Sequence, residues 1–309
     1  SVDNIDWTHY LSRGDTLIID SVINSEYFNH SQFVSQKIKD SIVDQLRKKT
    51  GRRPSVDTQD PTLRLNFHVN DDNCSLALDS SGESLHKRGY RIDGHVAPLN
   101  EVLAAGMILL TGWNGNSDFY DLMCGSGTIL IEAAMIAYNI KPGVFRSKYA
   151  FEKWKDFDMD LFESIYDQFE EKKFEHTIQG SDYSAKTVSL ARTNIKNALL
   201  DKRIEVNTKS FFDYKFTKWG TLIINPPYGE RMGGNNLNSF YKRIGDKLKK
   251  DFTNWHAWIL SSNKEALKNV GLRTSKRFTL FNGNLECKFN KYELYSGTKK
   301  KKKLVKKEN

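Results

Sequence analysis

The run Asp118-Phe119-Tyr120-Asp121-Leu122-Met123-Cys124-Gly125-Ser126-Gly127-Thr128 leads straight into the apolar segment Ile129–Tyr138. Apolar residues closing on an acid predict a buried strand, the two glycines a tight turn, and the apolar segment a helix. Strand, glycine turn and helix in that order form the opening unit of a doubly wound α/β domain. No other stretch restricts the architecture as much. Glycine carries no Cβ, so a ligand can approach the turn closely, and the first N–H groups of the helix are available to it. Asp121, Cys124, Gly125, Ser126, Gly127 and Thr128 are therefore candidates for holding a small ligand. The dinucleotide fingerprint G-x-G-x-x-G is incomplete, because Leu130 stands where its third glycine belongs, and this disfavours NAD.

Thr177–Asp182 predicts a second strand that also ends in an acid, followed by a helix over Ala185–Leu199. In doubly wound folds such an acid hydrogen-bonds ribose hydroxyls and comes ~20 residues after the glycines. Asp182 comes much later, which implies an insertion across about 140–175. Lys141-Pro142-Gly143 opens it, aromatic residues follow (Tyr149, Phe151, Trp154, Phe157), and an amphipathic helix is expected around Leu161–Phe169. Packing is the simpler expectation for these aromatics, and walling a pocket the alternative. Ile204–Val206 predicts a third strand and Phe211-Phe212-Asp213 a loop. The runs Arg277–Phe281 and Cys287–Leu294, around Asn282-Gly283-Asn284, predict a closing hairpin.

A fourth strand, Thr221–Ile224, is ended by Asn225-Pro226-Pro227-Tyr228. Two prolines forbid further pairing and impose a stiff turn. Asn225 and the Pro226 carbonyl then stand at the sheet's mouth as acceptors, with an aromatic ring beside them. Such a site receives a planar group bearing an NH2, with Tyr228 stacked on its plane. Taken alone, the tetrapeptide reads equally well as a turn after a core strand. The loop Gly229–Gly234 is expected to close over a bound base.

The first 92 residues have a different pattern. A strand is expected at Thr16–Val22, a helix at Ser31–Lys48 stopped by Gly51, then Arg52-Arg53-Pro54, and a hairpin of Leu63–Val69 with Ser75–Leu78. Leu85-His86-Lys87-Arg88-Gly89-Tyr90-Arg91 alternates basic and aromatic side chains. It reads either as a contact to an RNA strand or as an amphipathic connector. The helix expected across Ala97–Trp113 is apolar nearly all round and so predicted to be buried, with Glu101 an ordinary first-turn acid.

Composition narrows the function. The chain of 309 residues is 39% hydrophobic, and no run approaches membrane-spanning length. The three cysteines, Cys74, Cys124 and Cys287, have no metal-type spacing, which argues for a reducing compartment and against zinc. The net charge of +9 is concentrated at the end, where seven lysines lie within residues 299–307. Without them and Glu308 the remainder carries 40 basic against 37 acidic residues, about +3. The expected tail, 298–309, is either a solubilising end or a tether for a polyanion.

With D-x-x-C-G-S-G-T, G-S-D and N-P-P-Y-G-E-R in this order, the chain resembles the THUMP-domain-containing bacterial large-subunit (23S) rRNA guanine-N2 methyltransferases, class I amino-methyltransferases of the N-P-P-Y type. The resemblance implies a Rossmann-like α/β domain over 93–297, with a parallel sheet and a terminal antiparallel hairpin, carrying the insertion. An α+β THUMP-like RNA-binding domain over 1–92 would precede it, with a further ferredoxin-like segment before residue 1. It implies S-adenosyl-L-methionine as cofactor, held by Asp121, Cys124, Gly125, Ser126, Gly127 and Thr128, with Asp182 on the ribose and Asp213 on the adenine. A surface turn is the other reading of Asp213. Asn225, Pro226, Pro227 and Tyr228 would be catalytic, Asn225 also bordering the cofactor. Arg52, Arg53, Lys87, Arg88, Tyr90 and Arg91 would touch RNA. The chain is then expected to be a cytoplasmic monomer without metal that methylates large-subunit rRNA. Adenine-N6 methylation of DNA or RNA, and a non-catalytic RNA-binding protein, are the alternatives.

Overall fold

The computed structural model describes residues 2–27, 30–91, 99–216, 218–227 and 234–296, without the side chains of 234 and 235. In chain order the elements are β1 (Thr16–Asn24), α1 (Ser31–Thr50), β2 (Ser55–Val56), β3 (Leu63–Asn70), β4 (Asn73–Leu78), α2 (Glu101–Thr111) and β5 (Phe119–Asp121). There follow α3 (Thr128–Tyr138), α4 (Met159–Asp167), β6 (Ile178–Asp182), α5 (Ala185–Asn197), β7 (Glu205–Thr208) and β8 (Thr221–Ile224). The last are α6 (Gly234–Asp251), β9 (His256–Ser261), α7 (Lys264–Lys268), β10 (Thr274–Asn282) and β11 (Leu285–Glu293). They fall into two units, Ser1–Lys87 with Arg146–Gln168, and Arg88–Phe145 with the chain from Phe169 onward.

The first unit is a four-stranded sheet of order β2-β1-β3-β4 with α1 packed on it. Alternation along β1 buries Leu17 and Ile19 against Ile38, Ile42, Val43 and Leu46 of α1. The helix stops at Gly51, whose φ of 72° is left-handed and whose N–H reaches Arg47 O at 2.9 Å. The short strand β2, inside the Arg52–Asp57 stretch, pairs in parallel with β1 and was not expected.

The insertion departs from expectation. Its middle, Arg146–Gln168, belongs to the first unit and not to the second. Arg146 anchors it by donating Nη1 to the carbonyls of Ser84 and Lys87 and Nη2 to those of Ser81 and Glu83. Lys153 Nζ donates to Asp60 O at 2.8 Å, and Trp154 packs on the core of the first unit. The aromatic residues pack on one another, with Phe151 within 5.2–6.5 Å of the rings of Tyr149, Trp154, Phe157 and Phe162. The boundary between the units accordingly lies at 87/88 and not at 92/93.

The second unit is a seven-stranded sheet of order β10-β11-β9-β8-β5-β6-β7. Strands β5 to β9 run parallel, and β11 is antiparallel to β9 and β10, which gives the expected closing hairpin. Both faces are covered. Ile223 of β8 faces a core shared with α2, α3 and α5, whereas Leu222 and Ile224 face one built with α6 and α7. A strand buried on both faces is largely apolar, and β8 is buried at all four residues, with Thr221 its one polar side chain. Helix α2 corrects a second expectation. It buries Ala104, Met107 and Ile108 but leaves Val102 49% and Leu109 63% exposed, so it lies on the surface of this unit with an apolar outer face.

Candidate active site

In an open parallel sheet a ligand crevice forms beyond the carboxyl ends of the strands, where the strand order reverses. Here the order reverses between β5 and β8, so Asp121, which ends β5, and Asn225, which follows β8, flank that crevice. Asp182 ends the neighbouring β6, and Asp213 closes a short 3-10 turn after β7.

The glycine turn is held from behind. Gly125 and Gly127 have φ of 52° and 83°, a conformation that side chains resist. Gly125 N–H donates to Asp182 Oδ2 at 3.2 Å and Cys124 N–H to Ser181 O at 2.9 Å, joining the turn to β6. Asn194 Nδ2 of α5 donates to Ser126 O at 3.0 Å. A Cβ on Gly127 would sit 3.3 Å from Ala191, whereas one on Gly125 would enter open space. Gly127 thus serves packing and Gly125 leaves the approach clear. Helix α3 begins beyond Gly127 without a side-chain cap, so its first N–H groups remain available.

Asp121 is 1% exposed and accepts Met123 N–H at 3.2 Å. Burial, with Asp182 adding repulsion against the opposing Met123 bond, pushes its carboxyl up to about 8. A buried acid without a cation favours its neutral form. Cys124 is buried too, and burial lifts its thiol well above the ordinary range, so it is inert packing in the turn. Asp182 also accepts Ser184 N–H at 3.0 Å. Asp213 is exposed.

Beyond β8, Pro226 is buried and Pro227 exposed. The side-chain oxygen of Asn225 is buried and has no hydrogen-bond partner among the described residues. Buried acceptors are nearly always paired, so this one marks a place for a donor. Tyr228 and the loop 229–233 lie outside the described residues, as does the lysine tail.

Three of the expected RNA contacts are spent inside the second unit. Tyr90 is 1% exposed, and its hydroxyl donates to Glu132 of α3 at 3.1 Å. Arg88 pairs with the same carboxylate at 3.3 Å. Arg91 Nε donates to Glu101 at 2.7 Å, and its Nη2 to Leu99 O at 3.0 Å and to Thr128 Oγ1 at 2.9 Å. The alternation of basic and aromatic residues here serves two buried acids on α2 and α3. Glu101 is thus an ion-pair partner and no ordinary first-turn acid. The missed signal was a single glutamate within each apolar helix, which requires a cation from elsewhere. Lys87 is exposed and paired with Glu83 at 2.6 Å, and Arg52 and Arg53 are exposed. Tyr183, next to Asp182 and 81% exposed, is an aromatic ring at the same edge that sequence reasoning passed over.

Residues 88–291 match the family described as RMKL-like, methyltransferase domain. The chain belongs to that family. Residues 1–79 match the THUMP domain. Among relatives of this methyltransferase family, "Putative RNA methyltransferase slr0064" from Synechocystis is 41% identical over 96% of this chain and 78% of its own length. "Ribosomal RNA large subunit methyltransferase K/L" from Syntrophotalea carbinolica is 34% identical over 95% of this chain. The chain spans 43% of that longer relative's length. The structure of SMU.472 complexed with SAH is 29% identical and superposes with a TM-score of 0.84, covering 96% of this chain and 80% of that one. The chain therefore has the class I methyltransferase fold with an N-terminal THUMP domain.

Proposed function

We propose that this RMKL-like methyltransferase uses S-adenosylmethionine to methylate the exocyclic N2 amine of a guanosine in large-subunit rRNA, in the cytoplasm. The observation that carries the reading is the Oδ1 of Asn225 at the end of β8, buried and without a hydrogen-bond partner among the described residues. An exocyclic amine is a poor nucleophile because its lone pair is delocalised into the base. An N–H bond accepted by Asn225, with a second accepted by the Pro226 carbonyl, draws the nitrogen toward tetrahedral geometry and localises that pair. Tyr228 stacks on the flipped base.

The residues at the glycine turn fit the cofactor. Asp121 is a buried carboxyl with no cation paired to it among the described residues, the α3 N-terminus offers uncapped N–H groups, and Gly125 leaves the approach open. Asp121 would hold the ammonium, Asp182 the ribose hydroxyls and Asp213 the adenine amine, with Cys124, Ser126, Gly127 and Thr128 forming the cradle. When bound, the cofactor supplies an electrophilic methyl on a sulfonium. The chain's own work is to position the amine and exclude water, and it needs no strong base, because the cation formed when the amine takes the methyl is itself a strong acid and readily loses its proton. The THUMP unit, with Arg52 and Arg53 exposed, would hold the RNA.

The test is Asn225→Ala with large-subunit rRNA from a strain lacking the protein. If the bond strengthens as the nitrogen becomes tetrahedral, cofactor affinity persists and turnover falls roughly 10²–10³-fold. Nucleoside mass spectrometry of the wild-type product should show N2-methylguanosine. N6-methyladenosine would change the assigned base, and normal turnover by Asn225→Ala would refute the mechanism.

A further inference from the structure

The closing hairpin leaves part of its sheet face uncovered. Strand β10 is the outermost of the seven and pairs, among the described residues, with β11 alone. Its Phe278 and Leu280 pack with Cys287 and Phe289 of β11 on the core shared with α2, α3 and α5. Alternation turns Arg277, Thr279 and Phe281 to the other face, and all three are exposed. Phe281 is 61% exposed, whereas an aromatic ring ordinarily serves a core or an interface. Across the ladder Phe281 stands opposite Glu286 and Thr279 opposite Lys288, so all four share that face. Glu286 pairs with both Lys264 and Lys288 at 2.9 Å, which leaves one positive charge over. Arg277 donates to Thr274 Oγ1 at 3.4 Å and has no carboxylate partner among the described residues.

The strip lies at the edge where the substrate must come. Strand β11 is antiparallel to β9, and its Lys288 stands opposite Ser261, the last residue of β9. Glu286, and Phe281 opposite it, therefore lie beyond the carboxyl end of β9, at the same edge of the sheet as Asn225 after β8. Three strand spacings separate β10 from β8, roughly 14 Å. That is too far for Phe281 to touch a base held at Asn225 and near enough for a neighbouring nucleotide of the same strand. An exposed ring can stack on any base, and cations beside it take phosphates. Strand β10 carries two basic residues and no acid, so its charge suits a polyanion. We infer that this face is a platform for single-stranded RNA flanking the target nucleotide, with Phe281 stacked on a base and Arg277 on the backbone. The inference rests on the proposed function and adds to it a hold on the substrate within the methyltransferase unit itself.

The experiment titrates the full chain with a short unstructured RNA strand at several salt concentrations and measures turnover on large-subunit rRNA. Phe281 and Arg277 are exposed, so changing them leaves the core intact. Phe281→Ser should weaken binding of the strand roughly 10-fold, the worth of one stacked base, without changing the salt slope. Phe281→Tyr, which keeps the ring, should bind as wild type does. Arg277→Gln should flatten the log–log salt slope by about 0.7, the share of one single-stranded phosphate. Phe281→Ser and Arg277→Gln should both raise KM on rRNA and leave kcat and S-adenosylhomocysteine affinity as they were, since neither side chain reaches the reacting atoms. Ultraviolet crosslinking should place a nucleotide on the peptide that contains Phe281. Unchanged RNA affinity in Phe281→Ser overturns the platform, and where wild type still methylates rRNA the proposed function stands without it. A wild-type dimer that Phe281→Ser dissolves with RNA affinity unchanged overturns it too, and makes the strip a contact between copies. Wild type that transfers no methyl to rRNA, while Phe281→Ser loses the strand, overturns the proposed target and leaves the platform standing.

Discussion

Replacing Asp121 by Asn separates what the site does for the ligand from what it does to the fold. The wild-type carboxyl has an ordinary value of 3.8 and is pushed to about 8 by burial and by Asp182. It therefore takes up a proton on folding. Stability from that proton is complete below about pH 4 and is lost as pH rises to about 8, because the unfolded chain ionises first. From 3.8 to pH 7 is about 3 pH units at about 1.4 kcal/mol each, a cost of ~4 kcal/mol to the ligand-free native state at neutral pH. Asparagine can still accept the Met123 N–H bond and has no charge to lose. Ligand-free Asp121→Asn should then melt higher than wild type at pH 7, by roughly 2–4 °C per kcal/mol for a domain of this size. The wild-type melting temperature should fall from pH 5 to 8 more steeply than the variant's.

Ligand should reverse the order. An ammonium beside Asp121 favours its charged form, so S-adenosylhomocysteine should raise the wild-type melting temperature far more than the variant's. Calorimetry at pH 7 in buffers of different ionisation enthalpy should record a proton released on binding to wild type and none with the variant. A variant that is less stable than wild type at pH 8 without ligand, or that gains equally from ligand, would refute the argument.

Other outcomes follow from packing and charge. Gly245→Ala should destabilise by more than ~2 kcal/mol although alanine is the better helix former, because a Cβ there would lie 1.8 Å from Val270 O; an unchanged urea midpoint would show that α6 can move aside. Tyr90→Phe should cost about 1–2 kcal/mol by removing a buried bond to Glu132. It should leave the salt dependence of RNA binding as it was, and a flattened salt slope would return Tyr90 to the RNA surface. Removing residues 298–309 should flatten the log–log salt dependence by up to about 0.7 for each single-stranded phosphate that the lysines neutralise, and an unchanged slope would make them solubilisers only.

The residues that were legible in the sequence are those whose chemistry is local. An apolar run ended by two prolines reads as a strand that stops, and glycines between a strand and a helix read as a turn that a ligand can approach. Asp121, Gly125, Gly127, Asp182 and Asn225 are read as candidates in this way, and the strand order gathers their elements at one edge of the sheet. The misread residues are those whose partners lie far along the chain. Nothing near Arg88, Tyr90 and Arg91 shows that two acids on α2 and α3 use them, 10 to 44 residues away. Nothing near Arg146 shows that four backbone carbonyls in residues 81–87 wait for it, 59 to 65 residues back. A basic side chain looks the same in sequence whether it faces a phosphate or a buried glutamate. The discriminating sign is on the other partner, an isolated acid inside an otherwise apolar helix. Glu132 within Ile129–Tyr138 is such an acid, and burial raises its carboxyl against the pull of Arg88. Removing Arg88 would leave that acid buried without its cation, a loss of about 3–5 kcal/mol. The stretch that sequence alone offers to RNA is in the structure the clasp that holds α3, and with it the glycine turn, in place.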